Sequence, residues 1–213
     1  MEKMEIMNEA IFRGRIVRIR GANGNGTITL ACPLITTTRK KGVVENGVRN
    51  NYPVLSFNKS TVTQDILETF KQGDHVIVKG YVQSYMRLDE NSGDAKEIMN
   101  LYVHEIMPDN SKMMNAFGVE GRTYPESQNE VYLSGVLAGI TKRTDTIATL
   151  RIDLSKERKN VVNAVYFRAP ANIISDLSIG ETVNVLAMVQ TVDTREKKVI
   201  RNYQELVVLD IAK

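Results

Sequence analysis

The sequence predicts an all-β protein made of two similar small barrels in tandem. Three observations carry that expectation. The halves of the chain resemble each other, apolar and polar residues alternate at period two, and each half runs strand, strand, strand, short helix, strand, strand. A repeat is weighed before local assignments, because it constrains both copies at once. Asn8-Glu-Ala-Ile-Phe-Arg-Gly-Arg-Ile-Val sets against Asn129-Glu-Val-Tyr-Leu-Ser-Gly-Val-Leu-Ala, which places Gly14 opposite Gly135. Phe70-Lys-Gln-Gly-Asp-His-Val-Ile-Val sets against Leu177-Ser-Ile-Gly-Glu-Thr-Val-Asn-Val, pairing Gly73 with Gly180 and, further on, Val82-Gln83 with Val189-Gln190. The offset falls from 121 to 107 between the two matches, so the second copy lacks 14 residues in between.

Each element of the first copy has its own signal. Ala10–Arg20 alternates around Gly14, and a glycine inside a strand marks a bulge or sharp bend. After the turn Gly21-Ala-Asn-Gly-Asn-Gly26, Thr27–Cys32 alternates as strand two. Pro33–Asn50, with Arg39, Lys40, Lys41 and two glycines, reads as a long mobile loop. Tyr52–Phe57 is strand three. Thr61 and Gln64 have the spacing of a capping box, and Gly73 stands beyond the helix that it starts. His75–Tyr85 and Asn100–Met107 are strands four and five. The second copy repeats the order, with Thr146–Leu154, Val161–Arg168, Thr182–Val192 and Glu205–Ile211 as its later strands and Pro170 near its first helical turn. The expected domains are 1–107 and 129–213, joined by a linker, 108–128, that holds Pro108, Gly118, Gly121 and Pro125.

Composition narrows the function classes. Of 213 residues, 42% are hydrophobic and 25% charged, as in an ordinary globular protein. No apolar run approaches the ~18 residues that a membrane span needs. The start, MEKMEIMNEA, lacks the apolar core of a secretory signal, so the expectation is a cytoplasmic protein. A single cysteine, Cys32, gives no disulfide framework, and with two histidines no metal site is expected. No cofactor is expected either: Gly21-x-x-Gly24-x-Gly26 precedes no helix, so it is no phosphate cradle, and Asp89, Asn91 and Gly93 lack the distal glutamate of a calcium loop. No paired carboxylates stand out, and the chain reads as a non-enzyme. Residues 1–107 hold 14 basic and 12 acidic groups and residues 129–213 hold 12 and 10, so each half is only mildly basic. A polyanion partner would require those cations to share a face.

Five strands with a helix between the third and fourth is the order of the OB-fold barrel. Asn-x-x-x-x-x-Gly on strand one, Thr-Ile-Thr-Leu-Ala after a glycine turn, a strand three ending in Phe, and Gly-Asp-x-Val-x-Val-x-Gly into strand four together resemble the bacterial and phage single-stranded DNA-binding protein (SSB) family. The resemblance covers 8–107 well and 129–213 more faintly. It implies two tandem OB-folds that coat single-stranded DNA without strong sequence preference, in replication, recombination or repair. It also implies a homo-oligomer, two chains supplying four barrels. The final residues carry no acidic tail of the family's kind, which suits a relative from a phage or mobile element and gives no ground for enzyme recruitment by that route.

Strand four supplies the most specific site. Its alternation puts Val76, Val78, Gly80, Val82 and Ser84 inward and Ile77, Lys79, Tyr81, Gln83 and Tyr85 outward. Rings that stack on bases beside a cation that meets phosphates make a single-strand platform, in which each stacked base contributes ~1–3 kcal/mol; the alternative is a solvated strand whose tyrosines pack on the 86–99 hairpin. Arg13 and Arg15 share a face of strand one, either as phosphate contacts or as charges that keep an exposed strand soluble. Arg18 and Arg20 face oppositely unless a bend at Gly14 brings them round. The resemblance places Arg39, Lys40 and Lys41 in a loop over the binding surface, and Phe57 at a base-stacking position with Phe167 as its counterpart. Both phenylalanines also fit a core. Tyr52 lies one residue from another family stacking position, and tyrosine and phenylalanine stand in for the tryptophan that this chain lacks.

In the second copy the outward row becomes Asn184, Leu186, Met188, Gln190 and Val192, which suits an interface or weak strand binding. Arg151, Lys156, Arg158 and Phe167 remain as candidate contacts there. An OB-fold protein-interaction module and an RNA-binding protein are the rival readings, since a fold alone does not fix function.

Overall fold

Strand order, and with it the position of every candidate side chain, follows from where the alternating runs begin and end. The computed structural model describes residues 6–40, 43–60, 62, 64–88, 93–110, 113–115, 123–125, 127–169, 171–196 and 199–213; side chains are described for these except at 35–40, 43–46, 48, 96, 113–115, 123–125, 171, 193–196 and 199–202. The first copy comprises β1 (Met7–Ala22), β2 (Asn25–Lys40), β3 (Val43–Asn51), β4 (Val54–Phe57), α1 (Ile66–Thr69), β5 (His75–Leu88) and β6 (Ala95–Pro108). A small ribbon of β7 (Met113–Asn115) and β8 (Thr123–Pro125) follows. The second copy comprises β9 (Gln128–Thr144), β10 (Ile147–Asp153), β11 (Val161–Phe167), α2 (Ala171–Asp176), β12 (Thr182–Glu196) and β13 (Val199–Ala212).

Both copies close into five-stranded barrels. In the first the order is β1-β5-β6-β4-β2, with β2 pairing back onto β1. In the second it is β9-β12-β13-β11-β10, with β10 pairing back onto β9. The β11–β13 contact is parallel, Ala164 lying opposite Leu206, while the other registered pairs of that barrel are antiparallel. These are two OB-fold barrels, the class that the segment order predicts. The chain forms two compact units: Ile11–Lys79 with Val103–Asn129, and the residues up to Ala10 with Gly80–Tyr102 and Glu130–Lys213. Phe12, Ile16, Ile28, Leu30, Leu55 and Val78 are buried in the former; Val82, Leu101, Leu133, Leu137, Leu150, Ile152 and Leu206 are buried in the latter. Burying each such aliphatic side chain contributes roughly 1.5–3 kcal/mol. Among the described residues no helix is long and apolar enough to cross a membrane.

Several local expectations are corrected. Pro33–Asn50 is not a loop: β2 runs on to Lys40 and β3 returns in register from Cys32 opposite Asn51 to Lys40 opposite Val43. The β-branched residues of Ile35-Thr-Thr-Thr38, Val43-Val44 and Val48 favour extended backbone and outweigh the two glycines that suggest a loop. This hairpin has no counterpart in the second copy, where residues 154–160 lead directly from β10 to β11, and here most of the 14-residue deficit falls. Helix α1 is capped by Asp65, whose carboxylate accepts from the backbone N–H groups of Leu67 and Glu68. Thr61 lies outside the described residues, and the Gln64 amide donates to the Ile106 carbonyl at 2.6 Å instead of closing a capping box.

The irregularity in β1 is not at Gly14. It lies between Ile16 and Arg18, where one extra residue on β1 faces β2. Gly14 answers a different need: a Cβ added there would stand 2.5 Å from the Ala31 carbonyl oxygen.

Candidate nucleic-acid interface

Side chains on β5 alternate as the sequence predicts. Val76, Val78, Gly80, Val82 and Ser84 are buried, whereas Ile77, Lys79, Tyr81, Gln83 and Tyr85 are half-buried or exposed. Lys79, in the first of the two units, forms an ion pair with Glu105 at 3.0 Å, with about half of each side chain exposed. Within the second unit, Tyr81 stacks on Tyr102 of β6, with ring centroids 5.5 Å apart and planes 18° from parallel. Farther along, the Asn100 amide reaches the Tyr85 hydroxyl at 3.5 Å, and Tyr85 is 40% exposed. Burial pushes the Tyr81 hydroxyl above its ordinary pKa, and Tyr102 adds to that, so the Tyr81 phenol is neutral at physiological pH. Tyr102 is absent from the sequence-based candidates. The alternation of β6, with Leu101 and Val103 buried, is the signal that places it outward beside Tyr81.

On β1 the extra residue reorders the arginines. Arg15 pairs with Ala31, Arg18 with Thr29 and Arg20 with Thr27, so Arg18 and Arg20 join the exposed face that holds Arg15. A regular strand would have turned them away. Arg13 is engaged differently: its guanidinium grips Asp109 through two bonds of 2.8 and 3.0 Å, and that carboxylate is 3% exposed. A forked, largely desolvated pair of this kind is a strong structural link.

Phe57 corrects an expectation. It is 2% exposed, packed against Gly26 and turned into the barrel with Leu55, and so unable to stack on a base. Phe167 is 41% exposed and not its counterpart; the inward residue at that end of β11 is Tyr166. Tyr52 is 41% exposed between β3 and β4. Arg39 and Lys40 lie near the tip of the β2–β3 hairpin, opposite Val44 and Val43, and Lys41 lies outside the described residues. In the second copy Arg151 is about half exposed and meets Glu97 at 3.5 Å, and Lys156 and Arg158 are exposed. Leu186, Met188, Gln190 and Val192 are half-buried and Asn184 is exposed. Cys32 is buried, which raises its thiol pKa to about 12 and keeps it neutral and unreactive. Among the described residues no cluster of His, Cys, Asp and Glu is arranged to hold a metal ion.

No protein-family model matches the sequence, nor does any curated protein. Solved structures do match. A single-stranded DNA-binding protein from Thermus aquaticus, in a form carrying a deletion and an Arg-to-Ala change, superposes with a TM-score of 0.62 at 17% identity over 98% of this chain and 94% of that one. The wild-type protein from the same organism gives 0.55 at 19% identity over 98% and 93%. The chain has their tandem OB-fold. At such identity the likeness is one of backbone, so the chemistry of this tandem OB-fold chain rests on its own residues.

The carboxylates beside its cations make one such test. Glu105 competes with any phosphate for Lys79. Should this face bind single-stranded DNA, Glu105→Gln is expected to tighten that binding by about two- to fivefold at low salt, the scale of an exposed ion pair worth up to about 1 kcal/mol. An anisotropy titration measures it; unchanged or weaker binding would remove Lys79 from the interface.

Proposed function

We propose that this protein binds and coats single-stranded DNA without strong sequence preference, along the outer row of β5 and β6. The observation that carries the reading is the Tyr81–Tyr102 ring pair on a strand whose outward neighbours are Lys79 and Tyr85. Every base has a face that stacks on a ring, so such a platform tolerates sequence. Lys79 and the exposed Arg15, Arg18 and Arg20 supply charge for phosphates. In this reading 1–107 is the main binding domain, 108–128 a linker and 129–213 a second OB domain that adds Arg151, Lys156, Arg158 and Phe167. The Thermus proteins of the same fold, described as single-stranded DNA-binding, support the choice of ligand. The biological setting that fits is replication, recombination or repair, where single strands are exposed.

The test is an anisotropy titration of labelled single-stranded DNA, RNA and duplex DNA at two salt concentrations. Single-stranded DNA is expected to bind most tightly, with log affinity falling with log salt by roughly 0.7 per phosphate contact. Tighter RNA binding would make this an RNA-binding protein, and no nucleic-acid binding at low salt would make it a protein-interaction module.

A further inference from the structure

Between β10 and β11, residues 154–160 form a short loop that holds three cations and one acid in a row: Lys156, Glu157, Arg158 and Lys159, all exposed. Its base is tied shut. Leu154 is buried, and its N–H donates to the Asn160 carbonyl at 2.8 Å. The Ser155 N–H donates to the Asp153 carboxylate at 2.8 Å, and the Asn160 N–H donates to the Ser155 hydroxyl at 2.9 Å.

The Asn160 side chain then ties the loop to β5, within one compact unit. Its Oδ1 accepts from the Ser84 N–H at 2.9 Å and the Ser84 hydroxyl at 3.4 Å, and its Nδ2 donates to the Val82 carbonyl at 3.0 Å. Ser84 Oγ in turn accepts from the Val161 N–H at 2.9 Å. Asn160 and Ser84 are 9% and 7% exposed. Buried polar groups that are fully bonded rigidify what they join. Tyr81 and Tyr85 are the immediate neighbours of Val82 and Ser84 on the same strand. Glu97 makes a second tie, meeting Arg151 at 3.5 Å and the Asn163 amide at 3.2 Å.

We propose that Asn160 is a positioning residue that holds Lys156, Arg158 and Lys159 of the second copy at a fixed place relative to the Tyr81 and Tyr85 row of the first, so that one nucleic-acid strand engages both. This rests on the single-strand reading of β5. A loop already held in place loses little freedom on binding, so its cations contribute more than the same charges on a loose loop. An amide is required: it accepts from Ser84 and donates to Val82 at once, whereas a carboxylate would turn an oxygen toward the Val82 carbonyl.

The experiment is a double-mutant cycle on the full chain, read by anisotropy with labelled oligo(dT) of about 6 and of about 30 nucleotides, the first within and the second well beyond the ~4–16 nucleotides an OB-fold occupies. Asn160→Ala is expected to weaken binding of the longer oligomer about five- to tenfold, to flatten its salt dependence, and to leave the shorter one within twofold. In a background of Lys156→Ala, Arg158→Ala and Lys159→Ala, the same change is expected to have no further effect. An equal loss in both backgrounds, an equal loss on both oligomers, or no loss at all overturns the proposal. If Asn160→Ala does not fold, Ser84→Ala, which removes the acceptor of the Val161 N–H, enters the same cycle under the same criteria. Failure of the underlying reading looks different: the wild-type chain would then bind neither oligomer.

Discussion

Tyr81→Ala is expected to weaken single-stranded DNA binding by about tenfold, and Tyr81→Ala with Tyr102→Ala by more, while the barrel stays folded. A base stacked on an aromatic ring is worth ~1–3 kcal/mol, and each 1.4 kcal/mol is a factor of about ten in affinity. Tyr102 lies 5.5 Å from Tyr81 and nearly parallel to it, so it braces that ring against tilting when a base lies on its other face. Tyr81→Phe is expected to preserve affinity, because the ring and not the hydroxyl does the stacking. The pH dependence follows in sign. With its pKa above the ordinary 10.0, the Tyr81 phenol is protonated near neutral pH, so no phenolate forms there to repel phosphates and Tyr81 itself adds no pH dependence to binding near neutrality. Anisotropy titrations, checked by thermal melting, measure each outcome. Unchanged affinity of the folded double variant would move the interface off this face.

Gly14→Ala and Gly135→Ala are expected to cost stability in both copies for the same reason. A Cβ at Gly14 would lie 2.5 Å from the Ala31 carbonyl oxygen and 3.1 Å from the Cys32 sulfur. At Gly135 it would lie 2.5 Å from the Asp153 carbonyl oxygen and 2.8 Å from a Leu154 methyl. In each copy the obstacle is backbone of the strand that closes the barrel onto strand one, and backbone cannot swing aside as a side chain tip can. Overpacking of this kind costs about 1–3 kcal/mol, and at roughly 2–4 °C per kcal/mol for a chain of this size the melting temperature should fall by about 2–12 °C. Gly139→Ala is the control, since its nearest neighbour, Arg151 Cβ, stands at an ordinary 3.7 Å. Thermal melts followed by circular dichroism decide it; equal melting temperatures for Gly14→Ala and Gly139→Ala would show that the barrel relaxes around the added methyl.

The paired glycines also show what a sequence discloses. Gly14 and Gly135 occupy matching places because each lies against a neighbouring backbone, and that repeated steric need is visible as a repeat. The two faces of β5 were equally legible, since period-two alternation is a local property. What escaped depends on partners distant in the chain. Asp109 claims Arg13 from 96 residues away, and nothing near Arg13 announces it. Phe57 and Phe167 look alike as strand endings, yet one turns inward and the other outward, because their inward rows end at Phe57 and at Tyr166. Tyr102 was within reach through the alternation of β6, but its value lies in the ring it meets across the ladder, which is a matter of register. The β2–β3 hairpin was hidden by its glycines and charges, although its threonines and valines favour extension.

The extra residue near Val17 makes strand one a counter with a carry digit. Before it, odd-numbered positions look outward; after it, even-numbered ones do, and that is why Arg13, Arg15, Arg18 and Arg20 end on one side despite a spacing that should divide them. Length along this ribbon is therefore information, as residue identity is. The hairpin difference between the copies was tolerated because it lies outside the closed ring of strands, whereas pairing these same residues with none left over would send two guanidinium groups toward hydrocarbon.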